Sequence, residues 1–109
     1  MKTRQEYFAA ARQRFIDENP NLVRSIERDA TSLAHHVGMS VDQLCQEQIT
    51  EAFVKNLRAL GDDSVVTVLN MMEPNSDIRK AVLTQYYEEI ANSIGIHLSD
   101  FLIENKISL

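Results

Sequence analysis

The residues with the most chemistry to offer come in adjacent pairs: His35-His36, Asp62-Asp63, Tyr86-Tyr87 and Glu88-Glu89, with Cys45 as the single cysteine. Imidazoles bind metals and relay protons, carboxylates serve as general acids and bases, and a thiolate is a nucleophile. Each of these chemistries needs its groups to converge on one point. Neighbouring residues on a helix point about 100° apart, so His35 and His36 cannot both face one ion. Neither histidine has a His, Cys, Asp or Glu four residues further on. Structural zinc sites show paired ligands at short spacing, so no metal is expected here. The carboxylate pairs diverge in the same way, and they read as a solvated face (Glu88-Glu89) and a loop (Asp62-Asp63). Cys45 falls on an apolar stripe in an acidic neighbourhood, which suits a small buried hydrophobe rather than a reactive thiolate. There is no glycine-rich phosphate loop, nucleophile elbow or paired-histidine helix, so the chain is expected to be non-enzymatic and to carry no cofactor.

The elements that would position these residues read as helices. Only three Gly and two Pro interrupt 109 residues, and the chain is rich in good helix formers. Thr3-x-x-Glu6 has the form of a capping box and opens a first helix reaching about Glu18. Asn19-Pro20 supplies an N-cap and a first-turn proline for a second helix, whose stripe runs Leu22 or Val23, Ile26, Ala30, Leu33, Ala34 and Val37 before Gly38. Ser40-x-x-Gln43 is a second capping box, followed by Val41, Leu44, Cys45, Ile49, Ala52, Phe53, Leu57 and Leu60 at helical spacing. Val65 to Leu69 is β-branched enough for a strand, but no second strand signal exists to pair with it, so a short helix is assigned. That stretch to Met72 is apolar nearly all round, which fits either a central buried helix or a dimer interface. After Glu73-Pro74-Asn75-Ser76, a fifth helix carries Ile78, Val82, Tyr86, Ile90 and Ile94 to Gly95, and a last one carries Leu98, Phe101 and Leu102 to a short tail. The expected fold is all-α: a compact bundle of five to six helices forming one domain over residues 1–109.

Composition narrows the class further. Apolar residues make up 44% and charged residues 25% of the chain, the balance of a globular protein rather than a disordered tail. The N-terminus is charged throughout and lacks the apolar core of a signal peptide, and no stretch approaches the ~20 apolar residues of a membrane span. With one cysteine and no disulfide, a cytoplasmic, reducing location without membrane contact is expected.

An offset of 57 positions carries Leu33, Ala34, Val37, Gly38, Met39 and Leu44 onto Ile90, Ala91, Ile94, Gly95, Ile96 and Phe101. The bundle is therefore expected to contain two similar helix-Gly-helix units. Each unit resembles the helix-turn-helix family over about 20 residues, at the apolar, alanine and glycine positions that hold that motif together. The resemblance implies that Ser40, Asp42, Gln43, Gln46 and Glu47 would face bases in the major groove. The chain departs from the family where a second internal apolar residue should sit, since Glu47 and Glu104 occupy that place. From Asp29 to Phe53 there are four acids and no Lys or Arg, so a phosphate backbone would be repelled.

Glu18-Asn19-Pro20-x-Leu22, Glu51-Ala52-Phe53 and the closing Ile94-Gly95 unit together resemble the short, acidic, all-helical bacterial proteins that have no assigned function. The resemblance implies a small bundle and supplies no catalytic residue. With a formal net charge of −5, the leading expectation is a protein–protein interaction module that engages a basic partner, with a homodimer as a further option. The candidate contact residues are Asp42, Gln46 and Glu47 on the third helix, and Tyr87, Glu88, Asp100 and Glu104 near the C-terminus. The alternative is a helix-turn-helix transcriptional regulator.

Overall fold

Helix boundaries are set by side chains that answer the unpaired amides of each first turn. In the computed structural model, which describes residues 2–109, α1 (Arg4–Glu18) opens on a complete capping box. Thr3 Oγ1 accepts from the Glu6 amide at 3.1 Å, and Glu6 Oε1 accepts from the Thr3 amide at 3.4 Å. α2 (Pro20–Val37) starts at its proline. Asn19 closes the preceding helix rather than capping this one, since its side-chain amide donates to the Phe15 carbonyl at 2.8 Å. At α3 (Val41–Leu60), Ser40 Oγ accepts from the Gln43 amide at 3.0 Å, giving half of the expected box. α4 (Ser64–Met72) is helical despite its valines because Asp63 Oδ1 caps it, accepting from the Val65 and Val66 amides at 2.9 and 3.3 Å. Asn75 does the same for α5 (Ser76–Ile94), accepting from the Asp77 and Ile78 amides at 2.9 and 3.1 Å. The last helix is α6 (Leu98–Glu104). No strand occurs among the described residues, and no helix among them is long and apolar enough to cross a membrane.

The 57-residue repeat exists in backbone geometry. Gly38 and Gly95 both take the left-handed conformation, at φ 71° and 76°. The amide after each reaches back to the same place, Met39 to the Ala34 carbonyl at 3.1 Å and Ile96 to the Ala91 carbonyl at 3.0 Å. These are Schellman closures, in which a residue at positive φ turns the chain and satisfies a carbonyl of the last helical turn. A third one ends α6, where the Ile107 amide donates to the Leu102 carbonyl at 2.9 Å and Lys106 holds φ 55°.

Three apolar clusters lie in series. Ala30, Ala34, Leu44 and Cys45 join α2 to the first half of α3. Tyr7, Ala11, Phe53, Leu57, Val68, Leu69 and Val82 join α1, the second half of α3, α4 and the start of α5. Tyr87, Ala91 and Phe101 join the end of α5 to α6. The helical bundle is drawn out as a result, measuring 52 × 30 × 24 Å with a radius of gyration of 17.5 Å, against about 13 Å for a compact chain of this length. α4 is the central helix, with Val68 and Leu69 fully buried.

α2 departs from the reading of its sequence. Of its apolar stripe only Ala30 and Ala34 are buried, while Leu22, Leu33 and Val37 remain 40%, 41% and 50% exposed. The two alanines bring α3 close, and Leu44 and Cys45 fill the seam from the other side. The larger side chains one step round the helix are left without a partner.

Candidate interaction surface

Arg12 on α1 organises the outer face of α3. Its Nε donates to Thr50 Oγ1 at 3.0 Å, and one terminal nitrogen donates both to Gln46 Oε1 at 2.9 Å and to the Gln46 carbonyl at 3.1 Å. Gln46 and Thr50 are thereby held beside Glu47 and Glu51, and the four side chains line a shallow recess of about 340 Å³. Asp42 lies one turn nearer the start of the helix. All three acids are exposed. The ion pairs among the described residues are Arg4–Glu89, Arg14–Glu18 and Arg28–Asp29, so none of the three carboxylates is neutralised by a direct partner.

The second predicted group comes together only in part. Glu88, Asp100 and Glu104 are exposed on α5 and α6. Tyr87 is not a surface residue, which corrects the sequence reading: it is 7% exposed and its ring packs 5.9 Å from that of Phe101. Successive aromatics on one helix must diverge, and Tyr86 is the one that lies at the rim. The Tyr86 hydroxyl donates to Asp63 Oδ2 at 3.2 Å, and the Arg4 guanidinium sits 5.3 Å from its ring centre while pairing with Glu89. Burial raises the pKa of both tyrosines, with the Asp63 carboxylate adding to the effect. Arg4, Phe8, Val65, Tyr86 and Ile90 line an open, mainly apolar groove of about 450 Å³. The two acidic groups lie on α3 and on α5 and α6, beside different core clusters, so they form two surfaces rather than one.

The residues that would read DNA, Ser40, Asp42, Gln43, Gln46 and Glu47, are all exposed. Glu47 and Glu104 are exposed as well, and α3 is seated instead by Leu44 and Cys45. Burial first, and then Glu27 and Asp42, push the Cys45 thiol up, consistent with an unreactive core residue. His35 and His36 are exposed with ring centres 5.4 Å apart, edge to face. No cluster of three or more potential metal ligands occurs among the described residues.

Long-range polar links escape sequence reasoning, Arg4 with Glu89 among them, and two others fix the site and the core. One is Arg12 with Gln46 and Thr50. The other is Tyr7 with Glu73, where a core tyrosine donates to Glu73 Oε1 at 2.6 Å. That bond, with burial and the negative charge beside it, pushes the Tyr7 pKa up to about 12, while the same bond and the Asn75 amide hold Glu73 below its usual value. Each link spans more than thirty residues and leaves no local pattern.

Taken together, the fold and surface define an all-helical protein built from two Schellman-cornered helix pairs around a short central helix, with acidic residues exposed on α3, α5 and α6. Residues 1–107 match the model of a family described as a family of unknown function, DUF6388, and the chain belongs to that family. No curated protein and no solved structure matches it.

Proposed function

We propose that the protein is an interaction module whose α3 face receives a basic segment of a partner protein. The observation that carries this reading is the recess of Gln46, Glu47, Thr50 and Glu51, in which two carboxylates lack ion partners and two neutral side chains are held in place by Arg12. Carboxylates beside fixed hydrogen-bonding groups suit a guanidinium or ammonium better than any other common ligand. Asp42 extends the negative surface along the helix and would contribute to the rate of encounter. DNA reading by α3 is the second option; the Gly38 corner favours it, and the acids on the exposed face of the helix oppose it.

The test is a titration of an arginine-rich peptide and, separately, of duplex DNA against the labelled protein at low and moderate salt. The expected result is salt-sensitive peptide binding weakened at least tenfold by Glu47→Lys with Glu51→Lys, and left unchanged by Glu88→Lys with Asp100→Lys. Equal peptide binding by the wild type and the α3 variant would remove this reading, and salt-dependent DNA binding in the micromolar range would replace it.

A further inference from the structure

The last turns of α1, α3 and α4 line a common recess of about 340 Å³. Its apolar part is made by Phe15 and Phe53, whose ring centres are 5.8 Å apart, with Met71 and Leu60. Its polar groups are partly engaged and partly open. Arg14 Nε donates to Glu18 Oε1 at 2.6 Å and one terminal nitrogen donates to the Met71 carbonyl at 3.4 Å, which leaves the other terminal nitrogen and Glu18 Oε2 free. The Asn19 side-chain nitrogen donates to the Phe15 carbonyl at 2.8 Å, so its side-chain oxygen is left to accept. Asn56 brings a further amide from α3.

Helix C-termini favour positive charge in the last turn. The last turns of α1 and α4 contain no basic residue, and α1 ends on Glu18 instead. A cation is therefore favoured beside Glu18 and Asn19. A plain amine would also meet the Arg14 guanidinium, and a plain carboxylate would meet Glu18. A ligand carrying both charges satisfies both ends of the Arg14–Glu18 pair. The volume lies at the small end of ligand sites, which run from about 300 to 1,000 Å³, and it suits a molecule smaller than a nucleotide. Leu60 is 60% exposed despite its size and offers apolar surface for such a molecule to cover.

We infer that this recess binds a free α-amino acid with an apolar side chain. The ligand ammonium donates to Glu18 and to the Asn19 oxygen. Its carboxylate accepts from the free terminal nitrogen of Arg14 and from the Asn56 amide, and its side chain lies on Phe53, Met71 and Leu60. The experiment is a titration of the isotopically labelled full chain, followed by its amide NMR shifts. The probes are L-leucine and two analogues that each lack one charge, isopentylamine and 4-methylpentanoate. L-Leucine is expected to bind with a Kd of about 1 mM, the range open to about nine non-hydrogen atoms in a half-open recess. The amides of residues 15–19, Asn56, Leu60 and Met71 should shift. Both analogues should bind roughly tenfold more weakly, the loss of one charge-assisted contact, and Glu18→Gln should weaken L-leucine to a similar degree. Leu60→Asp tests the apolar contact at an exposed side chain; it should also weaken L-leucine while its circular dichroism matches wild type. No shift up to about 20 mM L-leucine, shifts confined to other parts of the chain, an analogue that binds as well as L-leucine, or L-leucine binding indifferent to Glu18→Gln or to Leu60→Asp would each overturn the inference.

Discussion

Replacing Tyr7 by Phe removes one oxygen from the centre of the fold and isolates the worth of its bond to Glu73. The Tyr7 side chain is 1% exposed, and its hydroxyl donates to Glu73 Oε1 at 2.6 Å, the short length of a charge-assisted bond. Hydrogen bonds to charged acceptors contribute about 1.5–3 kcal/mol. Glu73 is half-buried and keeps the Asn75 amide on its other oxygen at 3.1 Å, so water can replace the lost donor and the low end applies, about 1.5 kcal/mol. With an unfolding entropy of about 2.1 cal/mol/K per residue, Tyr7→Phe should melt about 7 °C below wild type at pH 7. The pH dependence supplies the sharper check. Glu73 is held below its ordinary 4.5, so its share of stability is present above that value and fades as pH falls through the lowered folded one. Tyr7 is raised from 10.0 to about 12, so its share is present below pH 10 and is lost as pH rises toward 12. Thermal melts of both proteins should therefore differ by a constant amount from about pH 5 to 9 and converge on either side. A double-mutant cycle with Glu73→Gln should return a favourable coupling between the two side chains, outside the error of the melts. Equal melting temperatures at pH 7, or a gap that stays constant from acid to alkali, would refute the reasoning.

Lys106 holds φ 55° without being glycine, so Lys106→Gly should stabilise the protein by about 0.5 kcal/mol, read by denaturant melts, because the relief of the left-handed strain exceeds the added chain entropy. At Gly61 an added Cβ would lie 2.6 Å from Thr67 Oγ1; Gly61→Ala should lower the melting temperature, and Thr67→Ala in the same chain should recover part of the loss. Cys45 is buried and its thiol is pushed up by desolvation, so a disulfide reagent at pH 8 should label native protein far more slowly than denatured protein, and equal rates would place the thiol at the surface.

The ends of the helices were legible because they depend on side chains a few residues away. Thr3, Ser40 and Asn75 act on amides two or three positions on, and Gly38 and Gly95 act on the turn behind them; Asp63, which the sequence reading leaves in a loop, caps α4 in the same local way. The alignment of the two corners was legible for the same reason. The partner of each apolar face was not. Periodicity marks the stripe on α2, but which part of it is covered depends on α3, whose own wide stripe is divided between α2 and the α1–α4 core. Asn19 illustrates the limit at short range, since the same residue type caps a following helix or closes a preceding one, and here its side chain turns back. Of the candidate site, the acids of α3 could be named from sequence, whereas Arg12, which positions the residues between them, sits 34 and 38 positions away. Tyr87 was misplaced for a related reason: two adjacent tyrosines must part, and only the location of Phe101 decides which one turns inward.

The serial arrangement of the three clusters also bears on how the chain opens. Two alanines, a leucine and a cysteine hold α2 to α3, and they bury far less apolar surface than the tyrosine, phenylalanine and aliphatic residues of the middle cluster. Separation of α2 should therefore require less free energy than loss of the centre, and amide exchange along α2 should run ahead of α1 and α4. Native-state hydrogen exchange would then resolve two cooperative units in a chain of only 109 residues. The thiol of Cys45, sealed in the weaker unit, would report the opening of that unit alone, on a clock separate from that of global unfolding.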